Sequence, residues 1–135
     1  MPPLEPLPFR IPVPGDDRVG LGGVQSISWK IEGLLHHEGD RLVFEWGGTR
    51  SVQKVSLGET VDRVEPLEPG VLEVPIEWIA GARLKGLFGR AALVLRARRL
   101  EAFDGLPGAA GGDVKLRFRR GDLGIARAMV REINQ

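Results

Sequence analysis

Residues 113–135 read DVKLRFRRGDLGIARAMVREINQ, and the apolar period changes inside them. Val114, Leu116 and Phe118 alternate with Lys115, Arg117 and Arg119, the period of two that marks a half-buried strand. From Asp122 onward, Ile125, Ala126, Met129, Val130 and Ile133 fall at i, i+3 and i+4 spacing, while Arg127, Arg131 and Glu132 face away. The pattern predicts one amphipathic helix over residues 122–134 with Asp122 as its N-cap. Gly124 weakens the first turn by about 1 kcal/mol relative to Ala, so this helix must be held by packing rather than by propensity.

Upstream of this segment the chain reads as strands. Ala91 to Phe103 is strongly apolar around Leu93, Val94 and Leu95, and the Gly/Pro loop DGLPGAAGGD separates it from the last strand. Arg83 to Phe88 is a short strand, and Val71 to Ile79 places Val74, Ile76 and Trp78 on one face. Gly58 to Gly70, with Pro66 and Pro69, reads as a long connection, and Thr49 to Leu57 as a further strand. Gly47-Gly48 carries the two-residue hairpin signal. Leu42, Phe44 and Trp46 form one more alternating run, the turn HHEGD precedes it, and Ile27, Trp29, Ile31 and Leu35 form the first. Six or seven strands in hairpin order followed by one helix predict a mainly β, α+β domain over residues 24–135.

The first 23 residues read differently. Pro2, Pro3, Pro6, Pro8, Pro12 and Pro14 force an extended chain, and Leu7, Phe9, Ile11 and Val13 recur along it at period two. This is an apolar edge, expected to lie on the domain or to serve as a self-association arm. The Pro3 to Pro6 spacing fits PxxP, a pattern too common to identify a partner.

The succession from VPIEWIAGARLKG through AALVLRARRLEAF and DVKLRF into DLGIARAMVREI resembles the pleckstrin-homology-like superfamily. The resemblance covers residues 24–135 and implies two antiparallel sheets forming a partly open barrel, capped by the C-terminal helix. Pleckstrin homology domains usually carry a Trp in that helix, and Leu123 to Gln135 has none, so the likeness is to the broad superfamily with its bacterial members. Phosphoinositide-binding members surround the first hairpin with basic residues. Here Lys30 lies mid-strand, the turn is HHEGD and Arg41 stands near Glu45, a mouth too acidic to imply head-group recognition.

Composition removes several chemistries. There is no cysteine, hence no disulfide, thiolate nucleophile or cysteine-ligated zinc. His36 and His37 are adjacent, so on a strand they point to opposite faces and do not share a metal. Ser26 and Ser28 sit at regular outward positions, outside any G-x-S-x-G elbow. The glycines at 20–23 precede a strand, and Gly81 to Gly86 has Leu87 and Phe88 where a phosphate loop needs Lys and Ser or Thr. Glu73 and Glu77, about 13 Å apart along a strand, are too distant for a catalytic dyad, and Glu59 and Asp62 read as surface. The reading expects no enzyme, no cofactor and no metal site. The N-terminus lacks a secretory pattern and no stretch approaches the ~20 apolar residues of a membrane span, which points to a cytoplasmic protein.

Net charge is +1, yet residues 1–68 hold seven Lys/Arg against eleven Asp/Glu, while residues 69–135 hold twelve against seven. Arg96, Arg98, Lys115, Arg117 and Arg119 fall on outward positions of the last two strands. Paired as a hairpin, these strands would gather five cations on one outer sheet face, unless Glu73, Glu77 or Glu101 interleave with them. The functional expectation is therefore a non-enzymatic protein-interaction or self-association module. The basic face itself reads first as a solvated or salt-bridged surface. The alternative function is a binder of anionic surfaces (acidic partner, lipid head groups or nucleic acid). An acidic partner comes second and nucleic acid third, because Phe118 points inward and leaves no stacking platform.

Overall fold

The structure is a computed structural model that describes residues 5–13, 15–20, 22–109 and 112–135. Its strands are β1 (Leu7–Ile11), β2 (Asp16–Gly20), β3 (Gly23–Glu38), β4 (Arg41–Ser56), β5 (Glu59–Pro66), β6 (Gly70–Pro75), β7 (Ile79–Lys85), β8 (Ala92–Ala97) and β9 (Asp113–Arg117). One α-helix, α1 (Leu123–Ile133), follows. The fold is mainly β, an open antiparallel sheet with one C-terminal helix. No helix among the described residues is long and apolar enough to cross a membrane.

The long hairpin β3–β4 organises the sheet. Its distal half pairs with β2 on one side and β5 on the other, forming a four-stranded wing. Its proximal half belongs to the order β6-β4-β3-β1-β9-β8-β7. Inward residues of the proximal part make the core: Leu7, Phe9, Leu35, Phe44, Leu93 and Leu116 are all buried. Phe9, Phe44 and Phe103 meet edge to face, with centroids 6.3 and 6.0 Å apart. Ala126, Met129 and Ile133 on α1 close this core against β7. Asn134, just past the helix, completes the contact. Its Oδ1 accepts from the Ala82 N–H and its Nδ2 donates to the Ala82 carbonyl, both at 2.9 Å, so the side chain occupies the free edge of β7.

Several sequence expectations need correction. Residues 7–11 are not an arm. They form β1, paired with β3 from Leu7↔Leu35 to Ile11↔Ile31, and Leu7, Phe9 and Ile11 are buried while Val13 packs against the same core. The alternating apolar edge is the signature of a core strand, and burial within the chain removes these side chains from self-association. Pro2, Pro3 and Pro14, with the PxxP spacing that Pro3 opens, lie outside the described residues.

Gly47-Gly48 is no turn. β4 runs straight through it, because Gly48 lies against the Lys30 carbonyl where any Cβ would collide, and the hairpin comes instead at Leu57-Gly58. The connection after Gly58 contains β5. Pro75 ends β6, so Ile76–Trp78 is a 3-10 turn rather than strand, and Leu100–Phe103 is likewise a 3-10 turn. The described residues therefore hold nine strands, not six or seven, in one continuous sheet where Arg10↔Arg117 is the single rung between β1 and β9. The helix expectation agrees with α1 to within one residue at each end, although Asp122 makes no side-chain cap bond.

A candidate anion-binding face and groove

Alternation along β9 buries Val114, Leu116 and Phe118 and turns Lys115 and Arg117 outward. Register then fixes their neighbours. One cross-strand row reads Lys85, Ala92, Arg117, Arg10, Glu32, running from β7 through β8, β9 and β1 to β3. The next reads Arg83, Val94, Lys115, and beyond it Arg96 faces Asp113. The structure thus places Lys115, Arg117 and Arg96 on one outer face. Arg98 lies just past β8, which ends at Ala97, and its N–H donates to the Trp78 carbonyl at 2.7 Å. Arg119 follows β9 and turns to the groove described below.

Arg83, Lys85 and Arg10 were not anticipated. The alternation in ARLKG could have given the first two. Arg10 was hidden because its strand was read as an arm.

The carboxylates expected to interleave do not. Glu73, on β6 at the far end of the strand order from β7, pairs with Arg41 at 2.9 Å, and Glu77 and Glu101 lie in the 3-10 turns. Cations of the acidic half other than Lys54 are partnered, among them Arg50 with Glu65 at 2.8 Å and Arg63 with Glu65 at 3.4 Å. On the basic face Arg10 reaches Glu32 at 3.7 Å, whereas Arg83, Lys85, Lys115 and Arg117 form no ion pair among the described residues. The strain registers in Lys115, whose pKa is lowered from the usual 10.5 chiefly by the Arg117 guanidinium, then by burial and by Lys85.

Next to this face the sheet splits. In an antiparallel strand alternate residues direct their backbone groups to opposite neighbours. Pro8 has no N–H, so Leu7, Phe9 and Ile11 carry the ladder to β3, and Pro8, Arg10 and Pro12 turn toward β9. Of these, only Arg10 can donate, and Arg10↔Arg117 is the one rung between the two strands among the described residues. Past it no further rung joins β9 to β1 among the described residues, and the Phe118 N–H continues the ladder to β8 by donating to the Ala91 carbonyl at 3.1 Å. A groove of about 1070 Å³ opens there. Its lining holds Arg10, Arg90, Arg117, Arg119 and Arg120, with Glu32 and Asp122 as the only carboxylates and Phe9 and Phe118 among its apolar residues. The Arg117 Nε is buried and has no hydrogen-bond partner.

The β7–β8 hairpin ends beside the groove. Gly86, at φ +68°, lies against the Arg90 carbonyl, and the Gly89 N–H closes the turn onto Gly86 at 3.0 Å. The turn thrusts Phe88 wholly into solvent, at 102% relative exposure, with Leu87 beside it. His36 contacts Glu45 at 3.2 Å, and no group of three or more metal-ligating side chains occurs among the described residues. Compared with known protein families, curated proteins and solved structures, the chain matches none.

Proposed function

We propose that this chain is a non-enzymatic interaction module that docks an acidic protein partner on the outer face of β7, β8 and β9. The observation carrying this reading is the imbalance of charge compensation. Six of the seven cations of the acidic half, all but Lys54, have carboxylate partners, whereas Arg83, Lys85, Lys115 and Arg117 share one face without any among the described residues. Keeping like charges in adjacent rows is unfavourable, and an acidic surface offsets it. Phe88 supplies the exposed aromatic anchor that interfaces favour. Nucleic acid is the weaker fit, because Ala92 and Val94 stand between the cations and give no base a surface to stack on.

We also propose kinship with the pleckstrin-homology-like superfamily. Without the wing strands β2 and β5, the remaining seven run β6-β4-β3-β1-β9-β8-β7 and end in a helix. That order supports a partly open barrel whose gap falls between β6 and β7.

The test is fluorescence anisotropy with a glutamate-rich peptide, a single-stranded oligonucleotide and phosphatidylserine vesicles. The expected result is peptide binding at low salt that weakens as salt rises, falls about tenfold or more in Arg83→Glu/Lys115→Glu and is unchanged in Arg41→Gln. Peptide binding indifferent to the double substitution, or tighter binding of the oligonucleotide or vesicles, overturns the proposal.

A further inference from the structure

We propose that the groove between β1 and the segment following β9 is a binding site for a phosphomonoester-type oxyanion, seated between the guanidiniums of Arg10 and Arg117. This goes beyond the acidic-partner reading and does not rest on it. The groove is a consequence of Pro8 and Pro12, which prevent β1 and β9 from zipping together, and not of the outer face.

Three observations converge. First, Arg10 and Arg117 stand directly opposite one another, which puts their Cβ atoms about 4.5–5.5 Å apart. Two guanidinium forks so rooted repel each other when empty-handed and can both reach one tetrahedral anion. Second, the charge of the lining matches a multiply charged ligand. Five arginines against Glu32 and Asp122 leave an excess of three positive charges, more than a single carboxylate neutralises. All five cations are Arg, whose planar fork binds phosphate oxygens in pairs, rather than Lys. Third, the Arg117 Nε is a buried donor without a partner at the base of this cluster, and buried donors are nearly always satisfied.

The size of the groove selects between ligands. About 1070 Å³ is at the top of the ~300–1,000 Å³ range of small-molecule sites, too large for inorganic phosphate alone. The exposed rings of Pro8 and Pro12 give the carrier an apolar wall. The phosphate therefore arrives on a larger body, either a phosphorylated side chain or a small phosphorylated metabolite, and the two share the chemistry that the arginines recognise.

Isothermal titration of the full chain with inorganic pyrophosphate, a phosphoserine peptide and its unphosphorylated form tests this. The expected result is saturable binding of both phosphorylated probes, weakened about tenfold or more by Arg10→Gln and by Arg120→Gln, with Arg63→Gln unchanged. Arg120 lies between β9 and α1, outside the strands, so its substitution leaves the sheet intact if Arg10→Gln does not. Stronger binding of the peptide identifies a phosphorylated protein as the source, and stronger binding of pyrophosphate a free ligand. Absence of saturable binding, or equal weakening by Arg63→Gln, overturns the site. Because the glutamate-rich peptide reports the outer face separately, either proposal can fail while the other stands.

Discussion

Phe9 shows at the scale of one residue how the N-terminal segment belongs to the core. Its ring lies over Gly33, its register partner on β3, where any Cβ would collide with it, and meets Phe44 edge to face. Phe9→Ala should therefore lower the unfolding free energy by about 3–5 kcal/mol, the usual cost of emptying a Phe site in a core. Urea denaturation should show a lower midpoint with an unchanged slope. A free arm would give no change. Lys115 makes the opposite kind of prediction. Its folded-state pKa is lowered, mainly by Arg117, so between that value and 10.5 the unfolded chain binds more protons and stability rises with pH. Lys115→Gln should accordingly raise the melting temperature near neutral pH. The advantage should shrink as pH climbs through the lowered pKa toward 10.5. An advantage that is constant to pH 11 would remove the electrostatic explanation.

Among the elements, the joint between α1 and β7 depends on Asn134. Its amide satisfies both backbone groups of Ala82 at the edge of the sheet, and Asn134→Ala leaves them to solvent. Each such bond contributes roughly 1 kcal/mol net, so a loss of about 1–2 kcal/mol is expected, together with faster amide exchange at Ala82. Unchanged protection there would mean that the apolar stripe alone holds the helix. That stripe was legible in the sequence because helical periodicity is a local signal, as was the alternation of Lys115 and Arg117. Gly47-Gly48 misled because the dipeptide that permits a tight turn also permits two backbones to approach closely, which is what Gly48 does against Lys30. The prolines flanking Arg10 misled for a similar reason. They forbid hydrogen bonds on one strand edge only, and β1 uses the other edge for β3. The groove was beyond reach because it needs Arg10 and Arg117 side by side, a fact of register between opposite ends of the chain.

For the molecule as a whole, a net charge of +1 says little about its response to salt, because the charges are segregated. Ion pairs made by cations of the acidic half are short-range, 2.8 Å for Arg50–Glu65 and 2.9 Å for Arg41–Glu73, well inside the screening length at any ordinary ionic strength. Exposed pairs of this kind contribute little in any case, about 0.2–1 kcal/mol. The cations of the outer face and groove are spread over four strands and act over longer distances. Raising salt from ~0.01 M to ~0.15 M shortens the Debye length from about 30 Å to about 8 Å. It therefore removes much of the repulsion and little of the attraction. The melting temperature should rise over this interval, against the intuition that a nearly neutral protein is indifferent to salt. In Arg83→Glu/Lys115→Glu, new opposite-charge neighbours replace like-charge ones, so the dependence should flatten or reverse. Sodium phosphate should stabilise more than sodium chloride at equal ionic strength, and Arg10→Gln should abolish the difference if it arises in the groove. A wild-type midpoint that falls as salt is added would show that the paired charges outweigh the unpaired face, and with it the energetic reason for that face to seek an acidic partner would disappear.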